Sequence, residues 1–485
     1  MPNSLAYLAL IAWPLLAVGL FLWLSLERAV IWSILGAYLV LPPVVALDFP
    51  LLPPLDKVTI PNVAALAICI LLLGKRMAWL PKSTAGRVLA ILFVFSPVAT
   101  VLTNSDPIPF AIGGLPGLRI HDALSVTIQQ TLALAPFLLA RQFLATEAAQ
   151  REILLALVVA LALIVAYMNG FHDASNAIST TITTRALKAS SALWAAAILN
   201  TLGALLGMAL LVMTVPWAVR LLGLGPIVEQ LAARPDTLGA ALLVLMLGTF
   251  LWDLLTWWMG LPASTWHAFF GTSFGVSLVI GTSAAWDRLG LMLAVSVVGP
   301  VISATVAYLL MQLILRLARS ELLGPGHIRF AQTFSASTVA AGHGLNDARL
   351  PLAVVVIALS SAGTDLSGTT TMVLMSTVAV AVGAGTLMGG HRIIRTLGRR
   401  LTDLTAAQGL AAESSAALTM SLGVFGLESP VSTSQALASS VVGAGVARGR
   451  RTVRWSVARE ILLIWLVTPL ACAVVGAALL GVVLE

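Results

Sequence analysis

Apolar stretches of about 20 residues recur along this chain from end to end. A stretch of that length is what a helix needs to cross roughly 30 Å of hydrocarbon. The pattern predicts an all-α polytopic membrane protein with roughly 14 to 17 spans or half-spans. A β-barrel would instead show short segments of strict alternation, and none are present. In the first 150 residues the apolar runs lie near 5–26, 29–47, 60–74 and 86–103, with a weaker one near 124–145. Proline-rich turns (Leu41-Pro42-Pro43, Leu52-Pro53-Pro54) separate some of them. The first run has no basic start and no clear small-residue cleavage site, so it reads as a retained helix.

Polar residues interrupt the later apolar runs at matching places. Met168-Asn169-Gly170-Phe171-His172-Asp173-Ala174-Ser175-Asn176-Ala177 is answered by Gly342-His343-Gly344-Leu345-Asn346-Asp347-Ala348-Arg349-Leu350-Pro351. Further on, Leu261-Pro262-Ala263-Ser264-Thr265-Trp266-His267 is answered by Ser429-Pro430-Val431-Ser432-Thr433-Ser434-Gln435. Asp173 and Asp347 stand 174 residues apart, and Pro262 and Pro430 stand 168 apart. Two motifs with nearly one offset indicate a duplicated unit, repeat one at 151–318 and repeat two at 327–485. Residues 1–150 have no counterpart in either and read as an extension of separate origin. Lys75, Arg76, Lys82 and Arg87 make the loop after its third run a cytoplasmic candidate.

Loop charge adds an orientation. Arg185 and Lys188 follow the first Asp motif, whereas 360–365 after the second carries no positive charge. After the Pro-Ser-Thr motifs the order reverses: 282–288 is near neutral and 448–454 is strongly basic. With basic loops cytoplasmic, corresponding points of the repeats face opposite sides, which is an inverted-topology duplication. A chance imbalance of a few arginines is the competing reading.

The chemistry follows from the residue types. Asp173 and Asp347 each lie near a glycine, Gly170 and Gly344, a combination that suits an unwound helix at membrane depth. A carboxylate there can hold Na⁺ or carry a proton, and Asn176 and Asn346 add amide oxygens and donors. Each Asp-Asn pair taken alone also reads as a contact between helices. Pro262 to Thr265 and Pro430 to Thr433 read as helix starts, whose free N–H groups and hydroxyls suit an oxyanion. That makes Ser264, Thr265, Ser432 and Thr433 candidate anion ligands, with ordinary capping as the plainer alternative. An anion between two aspartates is repelled unless a cation neutralises them, so coupling to Na⁺ or H⁺ is expected. His172, His267 and His343 can titrate near neutrality, although a lone His in a span is more often a structural one. Glu413 and Asp253 are further carboxylates in apolar surroundings and candidate functional groups.

Composition agrees with the pattern. Of 485 residues 59% are hydrophobic and only 10% charged, far below the roughly 25% of soluble proteins. The net charge of +7 lies in short clusters between apolar runs, which points to membrane topology and not to nucleic acid. The 2 cysteines, Cys69 and Cys472, have no metal-binding spacing and read as small core residues.

Asn169-Gly170-Phe171-His172-Asp173 with Asn176-Ala177, the stretch Trp257 to His267, His343-Gly344-Leu345-Asn346-Asp347, and Pro430-Val431-Ser432-Thr433 together resemble the inorganic phosphate transporters of the Pit-type permease family. The resemblance covers about 335 residues, with all four motifs in order. It implies symport of phosphate with Na⁺, or of phosphate or metal–phosphate with H⁺, with no other cofactor. It also implies inverted repeats with two re-entrant helical hairpins, a bacterial plasma-membrane location and often a homodimer. By the resemblance, Asp173, Asn176, Asn346 and Asp347 serve the coupling ion and phosphate; His172, beside the first motif, and Glu413, a carboxylate in apolar surroundings, are further coupling candidates on residue type and place alone. Ser264, Thr265, Ser432 and Thr433 hold phosphate at the hairpin tips. The sequence departs from the family pattern at Leu350, where Asn or Lys is common, at Gln435, where His is usual, and at Asp253, where some members carry Asn.

Pro54 to Pro61 and Leu102 to Asp106 resemble the start of O-antigen ligase and polymerase-like membrane proteins. An envelope enzyme is therefore one alternative to an oxyanion symporter. It would need a long external loop rich in Arg and His, and candidates such as 222–237 are short. A sulfate permease of the same fold and an inactive permease-like protein are the others.

Overall fold

Backbone N–H and C=O groups have no water to bond with inside hydrocarbon, so a chain this apolar satisfies them within helices. The computed structural model describes residues 4–49, 53–110, 113–210, 214–426 and 430–484, apart from the side chains of 174–177, 210 and 391. Ser429 of the second Pro-Ser-Thr motif lies outside the described residues. Contacts divide the chain into two units, 1–156 and 157–485.

The first unit contains α1 (Ser4–Trp23), α2 (Leu26–Val40), α3 (Thr59–Ala67), α4 (Thr84–Thr103), α5 (Ile120–Ala133) and α6 (Ala135–Phe143). Two short antiparallel hairpins, Ala46–Leu47 with Leu55–Asp56 and Ile108–Pro109 with Gly114–Leu115, lie in the connections. The run expected at 60–74 is α3 plus a π-helical turn over Ile68–Leu72, shorter than a full crossing. Asp56 starts α3 by accepting from Val58 N at 2.9 Å and Thr59 N at 2.8 Å. Val30, Ile31, Ala65, Cys69 and Leu139 form a small core. Arg28 grips Glu152 through two hydrogen bonds of 2.9 and 2.7 Å.

From the second unit's boundary the order is α7 (Glu147–Thr183), α8 (Ala189–Leu210), α9 (Val215–Leu222), α10 (Gly225–Leu231), α11 (Pro235–Met259), α12 (Thr265–Ile280) and α13 (Trp286–Arg319). Then come α14 (Pro325–Asp347), α15 (Arg349–Ser361), α16 (Gly368–Met388), α17 (His391–Arg395), α18 (Ala406–Ser421), α19 (Thr433–Arg448) and α20 (Trp455–Leu484). Among the described residues 10 helical segments are long and apolar enough to cross a membrane. The remaining expected segments are shorter: α12, α18 and α19 have 16 residues each. At 1.5 Å per residue such a helix rises about 24 Å, short of the hydrocarbon thickness. Large apolar residues such as Leu309, Val301, Leu466 and Leu470 point outward, as lipid-facing residues do.

Contacts recur in matched pairs. Helix α12 packs along α20, and α19 along α13. A Cβ on Gly170 would strike the Val382 carbonyl, and one on Gly344 the Asn200 carbonyl. Gly203 meets Ala341 and Gly385 meets Tyr167, while Gly275 meets Ala473 and Gly443 meets Ala304. Each pair repeats the other in the second half of the unit. Small residues at such crossings let backbones approach closely, which drives helix association in lipid.

These glycines correct one expectation. Gly170 does not mark an unwound helix: α7 runs unbroken for 37 residues through the first Asp motif. Gly344 likewise lies within α14, which stops only after Asp347, before α15 begins at Arg349. In both motifs the missing side chain makes room for a neighbouring backbone, and helix hydrogen bonds continue past it.

Candidate functional site

The polar motifs converge in the interior of the second unit. Asp173 and Asp347 are each only 3% exposed, and Asp253 is fully buried. The three carboxylates stand within electrostatic reach of one another.

Two helix starts supply their partners. Ser264 has extended backbone and caps α12 through His267 N at 3.4 Å. Ser432 caps α19 through Gln435 N at 3.2 Å. Capping fixes each helix N-terminus, whose first N–H groups have no partner within the helix. The residues that follow reach the carboxylates. Trp266 Nε1 donates to Asp347 Oδ1 at 2.6 Å, and Ser434 Oγ donates to Asp173 Oδ1 at 2.7 Å. Trp266 and Ser434 occupy equivalent positions of the two Pro-Ser-Thr motifs. Each therefore bonds the aspartate of the other half. Thr433 Oγ1 donates to Asp347 Oδ2 at 3.1 Å, whereas Thr265 Oγ1 donates to Asp253 Oδ2 at 3.0 Å.

Each aspartate also lies beside a His of its own motif, and Asp347 has an Asn as well. His172 Nδ1 lies 2.7 Å from Asp173 Oδ1, and its Nε2 lies 3.2 Å from Thr256 Oγ1. Asn346 Nδ2 bonds both Asp347 Oδ1 and the Val431 carbonyl at 2.9 Å. His343 Nδ1 faces Asn200 Oδ1 at 2.8 Å. Its Nε2 is 3.3 Å from Asp347 Oδ2 but not in hydrogen-bonding geometry. His267 is buried and faces Ser296 instead. Several polar atoms, among them Asp253 Oδ1, Asn169 Oδ1 and His343 Nε2, are buried with no hydrogen-bond partner among the described residues. Such groups are costly unless a ligand or ion satisfies them.

Glu413 stands apart from this cluster. It is fully buried on α18 and accepts from Thr180 and, at 2.8 Å, from Ser335. The side chain of Asn176 lies outside the described residues. Leu350 is buried and apolar, next to a residue that motif spacing does not single out. That residue is Arg349, 2% exposed, with Nε and Nη2 bonded to the Asn346 carbonyl and Oδ1 at 3.0 and 2.8 Å. Its signal in the sequence is a lone arginine inside an apolar run, two residues past Asp347. Trp266 and Ser434 are the other unforeseen contributors. Their matched positions after the Ser-Thr pairs were the available clue. Cys69 and Cys472 are both free and buried.

Carboxylates, amides and hydroxyl-bearing helix starts gathered inside a bundle of membrane-crossing helices belong to a membrane transporter. The model of the phosphate transporter family matches residues 169–476, and the chain belongs to that family. A probable low-affinity inorganic phosphate transporter of Rhizobium meliloti is 33% identical over 331 residues, covering 67% of this chain and 95% of its own. Another, from Mycobacterium leprae, is 35% identical over 336 residues, covering 66% of this chain and 76% of its own. Among solved structures, a sodium-dependent phosphate transporter shares the fold with a TM-score of 0.55 at 21% identity, covering 68% of this chain and 98% of its own. The protein is thus an integral membrane transporter and not an enzyme, and its bacterial relatives indicate the plasma membrane. Residues 1–168 lie outside the family match.

Proposed function

We propose that the protein imports inorganic phosphate as a symporter driven by H⁺ or Na⁺, alternating access between two inverted repeats at 151–318 and 327–485. The observation that carries this reading is the crossed donation: Trp266 of the first half to Asp347, and Ser434 of the second half to Asp173. Each helix start is tied to the opposite aspartate, so movement of one half changes the surroundings of both. The paired glycine contacts support a two-fold relation between the halves. The short helices α12 and α19 act as the inner arms of re-entrant hairpins paired with α11 and α18.

Phosphate occupies the space between the N-termini of α12 and α19. Free N–H groups and the hydroxyls of Ser264 and Ser432 bind its oxygens, Thr265 and Thr433 join them when their hydroxyls turn from Asp253 and Asp347 to the anion, and Asn176 and Asn346 lie beside them. The coupling cation sits at Asp173 and Asp347 and cancels their repulsion of the anion, so neither solute binds well alone. His172 holds Asp173 in position, and Glu413 serves as a separate protonatable or cation-holding station. Asp173→Asn and Asp347→Asn test the reading. Each abolishes gradient-driven phosphate uptake while the protein still folds. Uptake at wild-type rate by both variants would refute it.

A further inference from the structure

A cavity of about 350 Å³ is lined by Trp217 and Arg220 of α9, Arg288 of α13, Arg349 of α15, and Val424 and Phe425. Three arginines share it, and no carboxylate of the described residues lines it. The side chains of Arg220 and Arg288 make no ion pair or hydrogen bond with any described residue. Arg349 differs from them, being only 2% exposed. Two of its nitrogens are fixed by Asn346, and Nη1 makes no bond to a described residue. A guanidinium presents five N–H donors in a planar fork, which leaves Arg349 donors to offer to a ligand. Asn346 in turn bonds Asp347. The cavity thus leads from a solvent-accessible pair of cations to the carboxylate cluster.

Its location in the fold is informative. Arg288 opens the 34-residue helix α13, which Arg316 and Arg319 close. At the closing end, Gln312 Nε2 bonds the Ala447 carbonyl beside Arg448 and the basic 448–454 loop. Thr184 bonds Gln332 on that same side. The three-arginine cavity is therefore at the end opposite the basic loops. With those loops cytoplasmic, the cavity opens to the outside. A cation cluster there does not serve topology, since it runs against the positive-inside bias.

We propose that Arg220, Arg288 and Arg349 form an external admission site for a tetrahedral phosphate oxyanion, with Arg349 passing it to the helix starts beside Asp347. This rests on the phosphate-transport reading. Such a site raises the local anion concentration and loses its effect as salt screens it. Arg349 also supplies the positive charge that Leu350, at the next position, lacks.

A phosphate group can equally come from an anionic lipid headgroup, so the test separates the sources. Full-length protein in neutral detergent is treated with phenylglyoxal, and modification of Arg220 and Arg288 is followed by mass spectrometry, with exposed Arg329 as control. Inorganic phosphate at about ten times its half-saturating concentration is expected to slow modification of Arg220 and Arg288 roughly tenfold and leave Arg329 unchanged. In phosphatidylcholine vesicles, R220Q/R288Q raises the KM for phosphate about tenfold with kcat retained, and its KM responds less to ionic strength than that of the wild type. Equal modification with and without phosphate overturns the site, as does protection by phosphatidylglycerol but not by inorganic phosphate. Protection is read without transport. Its failure beside normal wild-type uptake condemns the admission site alone, and its success without uptake condemns the transport reading alone.

Discussion

Thr433→Val removes one hydroxyl and little else, because valine has nearly the shape of threonine. Thr433 is 1% exposed, and its Oγ1 donates to Asp347 Oδ2 at 3.1 Å. The other carboxylate oxygen keeps Trp266 and Asn346. Oδ2 is left facing only His343 Nε2 at 3.3 Å, which is poorly aligned. A hydrogen bond to a charged group contributes about 1.5–3 kcal/mol. At 1.4 kcal/mol per factor of ten, uptake efficiency should fall about 10- to 150-fold. The assay is initial-rate uptake of labelled phosphate into proteoliposomes, with size exclusion and a thermal melt to establish folding. Thr433→Ser keeps the donor and should recover most of the loss. Uptake by Thr433→Val within twofold of wild type, in folded protein, would refute a role for this bond in transport.

Asp253→Asn keeps an acceptor for Thr265 but removes a buried carboxylate whose Oδ1 has no partner among the described residues. It is expected to raise the melting temperature and to lower uptake at least tenfold, the exchange of stability for function seen at strained sites; a lower melting temperature or unchanged uptake contradicts this. Gly170→Ala and Gly344→Ala each force a Cβ against a backbone carbonyl and should destabilise by about 1–3 kcal/mol in a thermal melt. Gly290→Ala, with open space around it, should have no such cost, and equal melting of all three would undo the packing argument. Glu413→Gln keeps neutral acceptor capacity for Thr180 and Ser335, so it should fold normally yet lose coupled uptake. Normal uptake would remove Glu413 from the coupling path.

Much of the buried polar cluster could be read from residue type and spacing. Asp173, Asp347, Ser264, Thr265, Ser432 and Thr433 stand out because polar groups are expensive in an apolar chain, and duplication lends each copy support from the other. What spacing does not reveal is which group bonds which. Thr265 turns to Asp253 and not to Asp173, a choice made by tertiary packing of α11 against α12. Nothing in residue type alone assigns Trp266 Nε1 to Asp347. The glycines near the aspartates are ambiguous in the sequence because glycine suits both a broken helix and a close helix crossing, and only the neighbouring backbone distinguishes them. Arg349 escaped notice because a single charge in an apolar run has no partner motif to mark it. The span pattern of the first unit was legible in outline, but a π-helical turn shortened one segment and a break at Leu134 divided another.

The most direct test of the account is uptake of labelled phosphate by the purified full-length protein in proteoliposomes, under an imposed Na⁺ gradient, then a pH gradient, with sulfate as competitor. The account predicts phosphate accumulation that depends on one of the two gradients and that excess sulfate does not abolish. Folded protein that takes up no phosphate under either gradient, or that prefers sulfate, would contradict it.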